Sequence, residues 1–199
     1  MLPARFRACY ACGLALRTFC LRRIGLLSDS HGRAATTRRA VSRLMEAGVD
    51  VILHLGDVGS VEVLDEMVVA PPTTGAGAAG AKTGAAVDVQ LVFGNVDWDR
   101  ASLARYAKHL GLHVADPVGT LELGDGRKLI FLHGDDADAM LRALESGAAY
   151  VCHGHSHRTR DERVGNTRVI NPGALFRAQS YTVAILDTAK DQLEFMAVE

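Results

Sequence analysis

Three histidines lie within the stretch Tyr150–Arg160, which reads YVCHGHSHRTR. Histidine is the commonest metal ligand among the side chains, so this stretch indicates part of a metal site whose other ligands come from elsewhere in the chain. Four further stretches carry suitable side chains beside apolar runs. Together the candidate ligands are Asp29, His31, Asp57, Asn95, His133, His155 and His157.

These side chains offer carboxylate oxygens, one amide oxygen and imidazole nitrogens. Mixed oxygen and nitrogen sets suit Mn, Fe, Zn, Ni or Co better than Ca or Mg. The set is too large for one ion and suits two ions about 3.5–4 Å apart that share a bridging carboxylate. We predict two divalent metal ions, with Mn as the first choice and Zn, Ni, Fe or Co as alternatives. For HGHSH alone, a polar loop or a single zinc ion remains open.

Each candidate ligand follows a short apolar run that predicts a buried strand. The runs end at SDSHG, LGD, FGN, LHG and HGHSH. Ligands of α/β proteins bind at the carboxyl ends of strands, so we expect these strands to deliver the site. Asp29 and His31 form an i, i+2 pair, as do His155 and His157. In extended chain both members of such a pair project to the same side.

The order of predicted strands and helices changes about halfway along the chain. In the first half, predicted strands alternate with helices predicted at 34–47, roughly 60–69 and 99–110, which indicates a parallel sheet with helices on its faces. The second half has hairpin signals around Gly124–Gly126 and Gly165–Asn166, a helix over roughly 136–146 and a closing hairpin. A β-rich half beside an α/β half predicts two sheets packed face to face with helices outside.

Two segments depart from this pattern. Residues 1–23 contain several arginines and no acidic residue, and we interpret them as a poorly ordered N-terminal extension ahead of a domain over 24–199. An organellar leader is the disfavoured alternative, because no serine precedes Ser28. Residues 71–86 are rich in Gly, Ala and Pro and predict a flexible surface insertion.

Composition gives no support to several classes of partner. With a formal net charge of −1, nothing in the overall charge argues for nucleic acid or for an acidic membrane surface. The chain has no apolar run of 18 residues, so we expect no membrane-spanning helix. Cys9 and Cys12 have the spacing of a zinc half-site, but no second cysteine pair completes it. We interpret the cysteines as reduced and incidental and the protein as cytoplasmic.

The ordered set D-x-H, GD, GN, H and GH-x-H resembles the calcineurin-like metallophosphoesterase superfamily, and most closely its small prokaryotic phosphodiesterase branch, over residues 24–199. The NPGA sequence at Asn171–Ala174 is similar to the NPGS turn of that branch. The resemblance implies a four-layer α/β/β/α sandwich. It also implies hydrolysis of small phosphoesters by attack of a metal-bridging hydroxide on phosphorus.

The resemblance further implies roles for single residues. Asp57 would bridge the two ions, and Asn95 would also contact the phosphate. The first ion would be held by Asp29, His31, Asp57 and His157. The second ion would be held by Asp57, Asn95, His133 and His155.

Two departures from the wider superfamily affect these expectations. Val96 stands where many members have a histidine that is thought to protonate the leaving group, so esters with leaving groups of low pKa should be favoured. Asp97 is either a substitute acid or, as we favour, the cap of the next helix. Asp135 and Asp136 follow His133 where the branch often has HGH. Their negative charge beside the pocket would disfavour highly anionic substrates, but we favour the interpretation that one of them caps the following helix.

For the other polar residues near the motifs, we favour a structural or solvated role over direct binding of metal or phosphate. His54 and His153 are expected to support the site from the core and not to bind metal. Arg158 and Arg160 could attract phosphate, but a solvated loop is the preferred interpretation.

Two other functions stay open from the sequence. The first is a metal-bearing interaction scaffold, because the retromer subunit for vacuolar sorting shares the implied fold. The presence of all seven candidate ligands favours an enzyme. The second is a nuclease, which the near-neutral charge disfavours.

Overall fold

The computed structural model describes residues 23–69 and 87–199. The predicted insertion, and all of the predicted N-terminal extension except Arg23, lie outside the described residues. The strands are β1 (Arg23–Leu27), β2 (Val51–Leu55), β3 (Asp88–Val92), β4 (His113–Val114), β5 (Val118–Glu122), β6 (Lys128–Leu132), β7 (Tyr150–Cys152), β8 (Thr159–Val164), β9 (Thr167–Pro172), β10 (Thr182–Asp187) and β11 (Gln192–Ala197). The helices are α1 (Ala34–Glu46), α2 (Val61–Asp65), α3 (Arg100–His109) and α4 (Ala137–Glu145).

The described strands form two mixed sheets. The first has the order β11-β10-β1-β2-β3-β4. In it β1 to β4 run parallel, β10 is antiparallel to β1, and β11 is antiparallel to β10. The second has the order β5-β6-β7-β9-β8, with β6, β7 and β9 parallel. Because β1, β2 and β3 are parallel neighbours, and so are β6 and β7, their carboxyl ends come together at the edge of each sheet.

Three apolar clusters define four layers. Between the sheets, Leu26 of β1 and Phe131 of β6 belong to one buried cluster. On the outer face of the first sheet, a second cluster contains Leu44 of α1 and reaches α2 and α3. On the outer face of the second sheet, Ala143 of α4 packs in a third cluster with Val151 of β7. The order is therefore α/β/β/α, and the fold class predicted from the sequence is confirmed.

The differences from the sequence-based prediction are local. α2 is five residues long, shorter than the helix expected over 60–69. The two-residue strand β4 has no sequence signal, because two residues are too few to show alternation. The closing hairpin of β10 and β11 pairs with β1 in the first sheet, so the β-rich second half contributes to both sheets.

No helix among residues 23–69 and 87–199 is long and apolar enough to cross a membrane. Cys152, at the end of β7, is a free buried cysteine. Burial raises the pKa of its thiol, so the side chain behaves as a small apolar core residue. The other cysteines lie outside the described residues.

Candidate metal centre

Five loops at the carboxyl ends of β1, β2, β3, β6 and β7 meet at one edge of the sandwich. The first two are tied by backbone hydrogen bonds: Asp29 N–H donates to Gly56 O at 3.0 Å, and His31 N–H donates to Asp57 O at 2.9 Å. The fourth and fifth are tied where Gly154 N–H donates to the carbonyl of His133, the first residue after β6, at 2.9 Å. The backbone therefore fixes how the loops meet.

Four of the predicted ligands form one compact cluster. The ligand atoms of Asp29, His31, Asp57 and His157 all lie within 4.8 Å of one another. His31 Nε2 is 3.3 Å from Asp57 Oδ2 and 3.3 Å from His157 Nε2. His157 Nε2 is 3.3 Å from Asp29 Oδ1. This is the set that the family resemblance implied for the first ion.

The other three predicted ligands lie on the opposite side of Asp57. His133 Nε2 is 3.4 Å from Asp57 Oδ1 and 3.2 Å from Asn95 Oδ1. The rings of His133 and His155 contact edge to face, with centroids 5.1 Å apart. One carboxylate oxygen of Asp57 thus faces each group, which is the placement that a bridging ligand requires.

The hydrogen bonding of His133 and Asp29 fits a bound cation. His133 Nδ1 is 2.8 Å from Leu55 O, so Nδ1 carries the hydrogen and Nε2 of the neutral ring carries a lone pair. That lone pair points at two acceptors, Asp57 Oδ1 and Asn95 Oδ1. Within the described part of the chain, Asp29 Oδ1 is buried and accepts no hydrogen bond. A metal ion bound between these atoms would satisfy acceptors that face one another without a hydrogen-bond donor.

The pKa values of these groups reflect burial and mutual contact. Burial raises the pKa of Asp29 and lowers the pKa of His31. Burial alone would raise the pKa of Asp57, but the contact with His133 and the N–H of Val96 bring it below its ordinary value. Burial alone would lower the pKa of His133, but the contact with Asp57 brings it above its ordinary value. A proton on His133 Nε2 would therefore be stabilised by Asp57, and this is the position that a bound cation would take.

The backbone at the ligands is left-handed, not extended. Asp29, His31, Asp57, His155 and His157 all have positive φ, between 44° and 66°. The reason given above for the i, i+2 pairs, projection from extended chain, is therefore wrong. Asp and His tolerate this region better than most side chains, and the turns send the two members of the second pair to different sides of the centre.

Two glycines allow the loops to approach the carboxylates. A Cβ added at Gly94 would overlap the Asp57 carboxylate, and one added at Gly154 would overlap Ser28 Oγ and lie 2.8 Å from Asp29 Oδ2. The absence of a side chain at these two positions is therefore a requirement of the site.

Asp97 has neither of the roles that the sequence suggested. It is buried, and its carboxylate accepts hydrogen bonds from the backbone N–H groups of Val58, Gly59 and Gly94 at 2.8–3.1 Å. The cap of α3 is Asp99, which accepts from Ser102 N–H. The preferred interpretation of Asp97 as a cap is wrong, and its occupied oxygens do not favour the alternative role as an acid. Its contacts join the loop after β3 to the loop after β2.

Asp136 and His54 have the roles expected for them. Asp136 caps α4 by accepting from Ala139 N–H. His54 is fully buried; it accepts from Gly56 N–H through Nδ1 and bonds Ser30 Oγ through Nε2. His54 therefore supports the loop after β1 and does not face the cluster.

His153 is also buried, and its Nδ1 lies 3.0 Å from Gly154 O. Its Nε2 has no hydrogen-bond partner in the described part of the chain. The sequence reasoning missed the residue that holds this loop: Asn171 donates to Gly154 O at 2.7 Å and to Ser156 Oγ at 3.2 Å. The NPGA sequence, which begins at Asn171, is the signal that could have pointed to this residue.

Phe176 and Arg177 were also missed. The Phe176 ring packs against His31, with centroids 4.8 Å apart, and the guanidinium of Arg177 lies 5.0 Å from the Phe176 centroid. Neither residue has a motif of its own, since their position follows only from the loop after β9. Arg160, one of the two arginines considered above, pairs with Glu162, whereas Arg158 lines a cavity beside His155.

The fold and the site together define a class. The described chain is a four-layer α/β/β/α sandwich whose sheet edge presents a cluster of carboxylates and imidazoles suited to divalent metal ions. In many proteins a metal centre of this kind activates water for hydrolysis.

The chain belongs to the calcineurin-like phosphoesterase superfamily, because the model of the calcineurin-like phosphoesterase superfamily domain matches residues 23–191. It is 26% identical over 181 residues to phosphodiesterase MJ0936 of Methanocaldococcus jannaschii, across 89% of this chain and 99% of that protein.

Solved structures show the same fold. The structure of an archaeal phosphodiesterase has a TM-score of 0.73 and 26% identity, and the match covers 88% of this chain and 99% of that one. The phosphoesterase Yfce of E. coli has a TM-score of 0.58 and 16% identity, with 89% and 100% coverage. At that identity the second comparison supports the fold alone.

Proposed function

We propose that this protein is a metal-dependent phosphodiesterase that hydrolyses small phosphoesters. The observation that carries the proposal is the convergence of all seven predicted ligands at one sheet edge, with acceptor atoms facing one another. The phosphodiesterase from Methanocaldococcus jannaschii supports the same reaction by similarity across nearly the whole of both chains.

In this proposal the site would hold two divalent ions, with Asp57 as the shared ligand. Its Oδ2 faces His31 and its Oδ1 faces His133, so each oxygen would be available to one ion. Ions bound there supply charge neutralisation of the phosphate and a lowered pKa of a water molecule. Mn is our first choice because the ligand set mixes carboxylate, amide and imidazole, and Zn, Ni, Fe and Co remain alternatives.

Asn95 positions the phosphate. Its side chain is exposed, and its Oδ1 faces His133 Nε2 at 3.2 Å. This orientation leaves the amide N–H groups to donate to a phosphate oxygen, where negative charge develops in the transition state.

The leaving group departs without a protonating histidine. Val96, at the position of that histidine in many relatives, uses its N–H to hold Asp57 Oδ1 at 3.1 Å. Asp97 is occupied by three N–H groups. The reaction therefore favours esters whose leaving group is stable as an anion, such as a nitrophenolate.

The scaffold function receives no support from a specific observation. A scaffold does not need every ligand position filled with a ligand side chain, and here each is filled. A nuclease function remains disfavoured by the net charge of −1. A cytoplasmic location stays a prediction from the sequence.

The test is hydrolysis of bis(p-nitrophenyl) phosphate by purified protein with Mn²⁺. Asp57→Asn should lower kcat/KM by about 10²-fold or more, because the shared ligand is lost. Asp138→Asn, which removes an exposed carboxylate from α4, is the matched control and should keep wild-type turnover. Unchanged turnover in Asp57→Asn, or turnover that survives a chelator, would show that the proposal is wrong.

A further inference from the structure

A large open cavity adjoins the candidate metal centre on the side of His157. Its volume is about 760 Å³. It lies between the loop that carries His155 and His157 and the segment from Gly173 to Thr182. Cavities of a few hundred to a thousand Å³ accommodate whole small-molecule ligands, so this one has room for much more than a single phosphate group.

The charged side chains that line this cavity are both positive. They are Arg158 and Arg177, and no carboxylate is among the lining residues. Within residues 23–69 and 87–199, neither guanidinium belongs to a salt bridge, whereas the neighbouring Arg160 and Arg163 pair with acids. The cavity therefore has positive charge that the described chain does not neutralise.

Arg177 is held in place without losing its charge. Its guanidinium stacks on the ring of Phe176 at 5.0 Å, and the guanidinium of Arg33 stacks on the same ring at 5.0 Å. That ring in turn packs against His31 of the metal cluster. Stacking on an aromatic ring orients a guanidinium and leaves its N–H donors free for an anion.

The cavity on the opposite side of the centre has carboxylates among its lining residues. A small cavity of about 140 Å³ next to His133 is lined by Asp135 and Asp136. Arg100 also lines it, but this arginine pairs with Asp116. An anionic group on the substrate is therefore attracted to the side of His157 and repelled from the side of His133.

From this asymmetry, and resting on the proposed phosphodiesterase function, we propose that the larger cavity binds the arm of the phosphodiester that stays in the site when the leaving group departs, and that this arm carries a second phosphate. Arg177 and Arg158 bind that second phosphate. The preferred substrate class is thus a phosphodiester with an additional phosphate, such as a nucleoside bisphosphate ester.

A pair of substrates with the same leaving group tests the proposal. Thymidine 5′-(p-nitrophenyl phosphate) and its 3′-phosphorylated form differ only in the second phosphate. The Mn²⁺-loaded wild type should have a kcat/KM about tenfold higher for the phosphorylated form, as expected for hydrogen bonds between charged groups. Equal values for the two substrates would overturn the assignment of the cavity and leave the proposed function intact.

Variants of the two cavity arginines test whether they cause the preference for the phosphorylated substrate. Arg177→Gln and Arg158→Gln should each lower kcat/KM more for the phosphorylated form than for the simpler ester, so that most of the preference is lost. Arg160→Gln removes the same charge two residues from Arg158, but from a side chain already paired with Glu162, and should keep the preference. If Arg160→Gln lowers the preference as much as the other two, general charge explains it and the cavity assignment is wrong.

A binding measurement makes the test independent of catalysis. Calorimetric titration should show that thymidine 3′,5′-bisphosphate binds the metal-loaded wild type about tenfold more tightly than thymidine 5′-monophosphate. The difference should vanish in Arg177→Gln and in Arg158→Gln. If neither ester is hydrolysed but this difference is found, the proposed function fails and the binding site stands; equal affinities for the two nucleotides overturn the site itself.

Discussion

At the scale of single residues, the centre depends on which atoms carry hydrogens. The Leu55 carbonyl takes the Nδ1 hydrogen of His133, which turns a lone pair toward Asp57 and Asn95. His54 shows the opposite arrangement, because Gly56 N–H donates to its Nδ1 and its Nε2–H is left for Ser30. His54 in β2 and His133 after β6 thus differ in the tautomer that their neighbours select, and only His133 has a lone pair left for a cation.

The sequence pattern indicated which residues are candidate ligands of the centre, but it did not indicate their backbone conformation. Each ligand follows an apolar strand, and glycine next to the polar residue marks most of the loops, so a one-dimensional pattern was enough to collect them. Positive φ at Asp29, His31 and Asp57 leaves no trace in that pattern, because aspartate and histidine occur in many other conformations as well.

Protonation of His54 should destabilise the fold in acid. Burial lowers its pKa from 6.5 to about 3, so the unfolded chain takes up a proton below about pH 6.5 while the folded chain does not. Stability is therefore lost as the pH falls, by about 1.4 kcal/mol per pH unit from this group. His54→Gln, which stays neutral, removes the loss.

Urea unfolding of the metal-free protein at several pH values checks this prediction. The difference in unfolding free energy between wild type and His54→Gln should change by about 2 kcal/mol from pH 6.5 to about pH 5. A difference that stays constant over this interval would mean that His54 is protonated in the folded protein.

At the scale of elements, the loop after β3 is the part that the sequence explained least. It carries Asn95 and Val96 and is fixed by Asp97, whose partners Val58 and Gly59 lie 39 and 38 residues earlier. Contacts at such separation cannot be inferred from local spacing, which is why the sequence suggested a helix cap instead. The same limit applies to the pairing of β10 with β1.

Replacement of Asp97 should loosen this loop. Asp97→Asn puts an amide N–H group toward at least one buried backbone N–H, so a hydrogen bond is lost at a cost of about 1–3 kcal/mol. Because the Val96 N–H holds Asp57, kcat/KM for an aryl phosphodiester should also fall, by about tenfold. Urea unfolding and steady-state kinetics measure the two effects.

A neighbouring carboxylate provides the control for this prediction. Asp99→Asn affects only the exposed cap of α3, and asparagine caps a helix about as well as aspartate, so this variant should change stability little and leave kcat/KM unchanged. Trp98, the single tryptophan of the chain, is 90% exposed between the two aspartates, and quenching of its fluorescence reports the loop directly. Equal kinetic losses in the two variants would contradict a positioning role for Asp97.

At the scale of the whole molecule, the centre lies across the joint between the two sheets. Asp29, His31, Asp57 and Asn95 follow strands of the first sheet, whereas the remaining three ligands follow strands of the second. Periodicity predicted two packed sheets, but which loops meet at their common edge depends on topology. A bound cation would therefore connect the sheets, as Arg168 does at another place by bonding Asp161 of β8 and Asp191 of the β10–β11 turn.

Metal binding should accordingly stabilise the entire fold. A divalent ion at about 100 times its Kd adds about 2.7 kcal/mol to the unfolding free energy, which for a chain of this size raises Tm by about 5–10 °C. His157→Asn removes a ligand of the second sheet and should abolish most of this increase, whereas Arg160→Gln, in the strand that follows, should retain it. Calorimetric scans with Mn²⁺ and with a chelator give the comparison; if His157→Asn gains as much from Mn²⁺ as the wild type, the ion does not join the two sheets through His157.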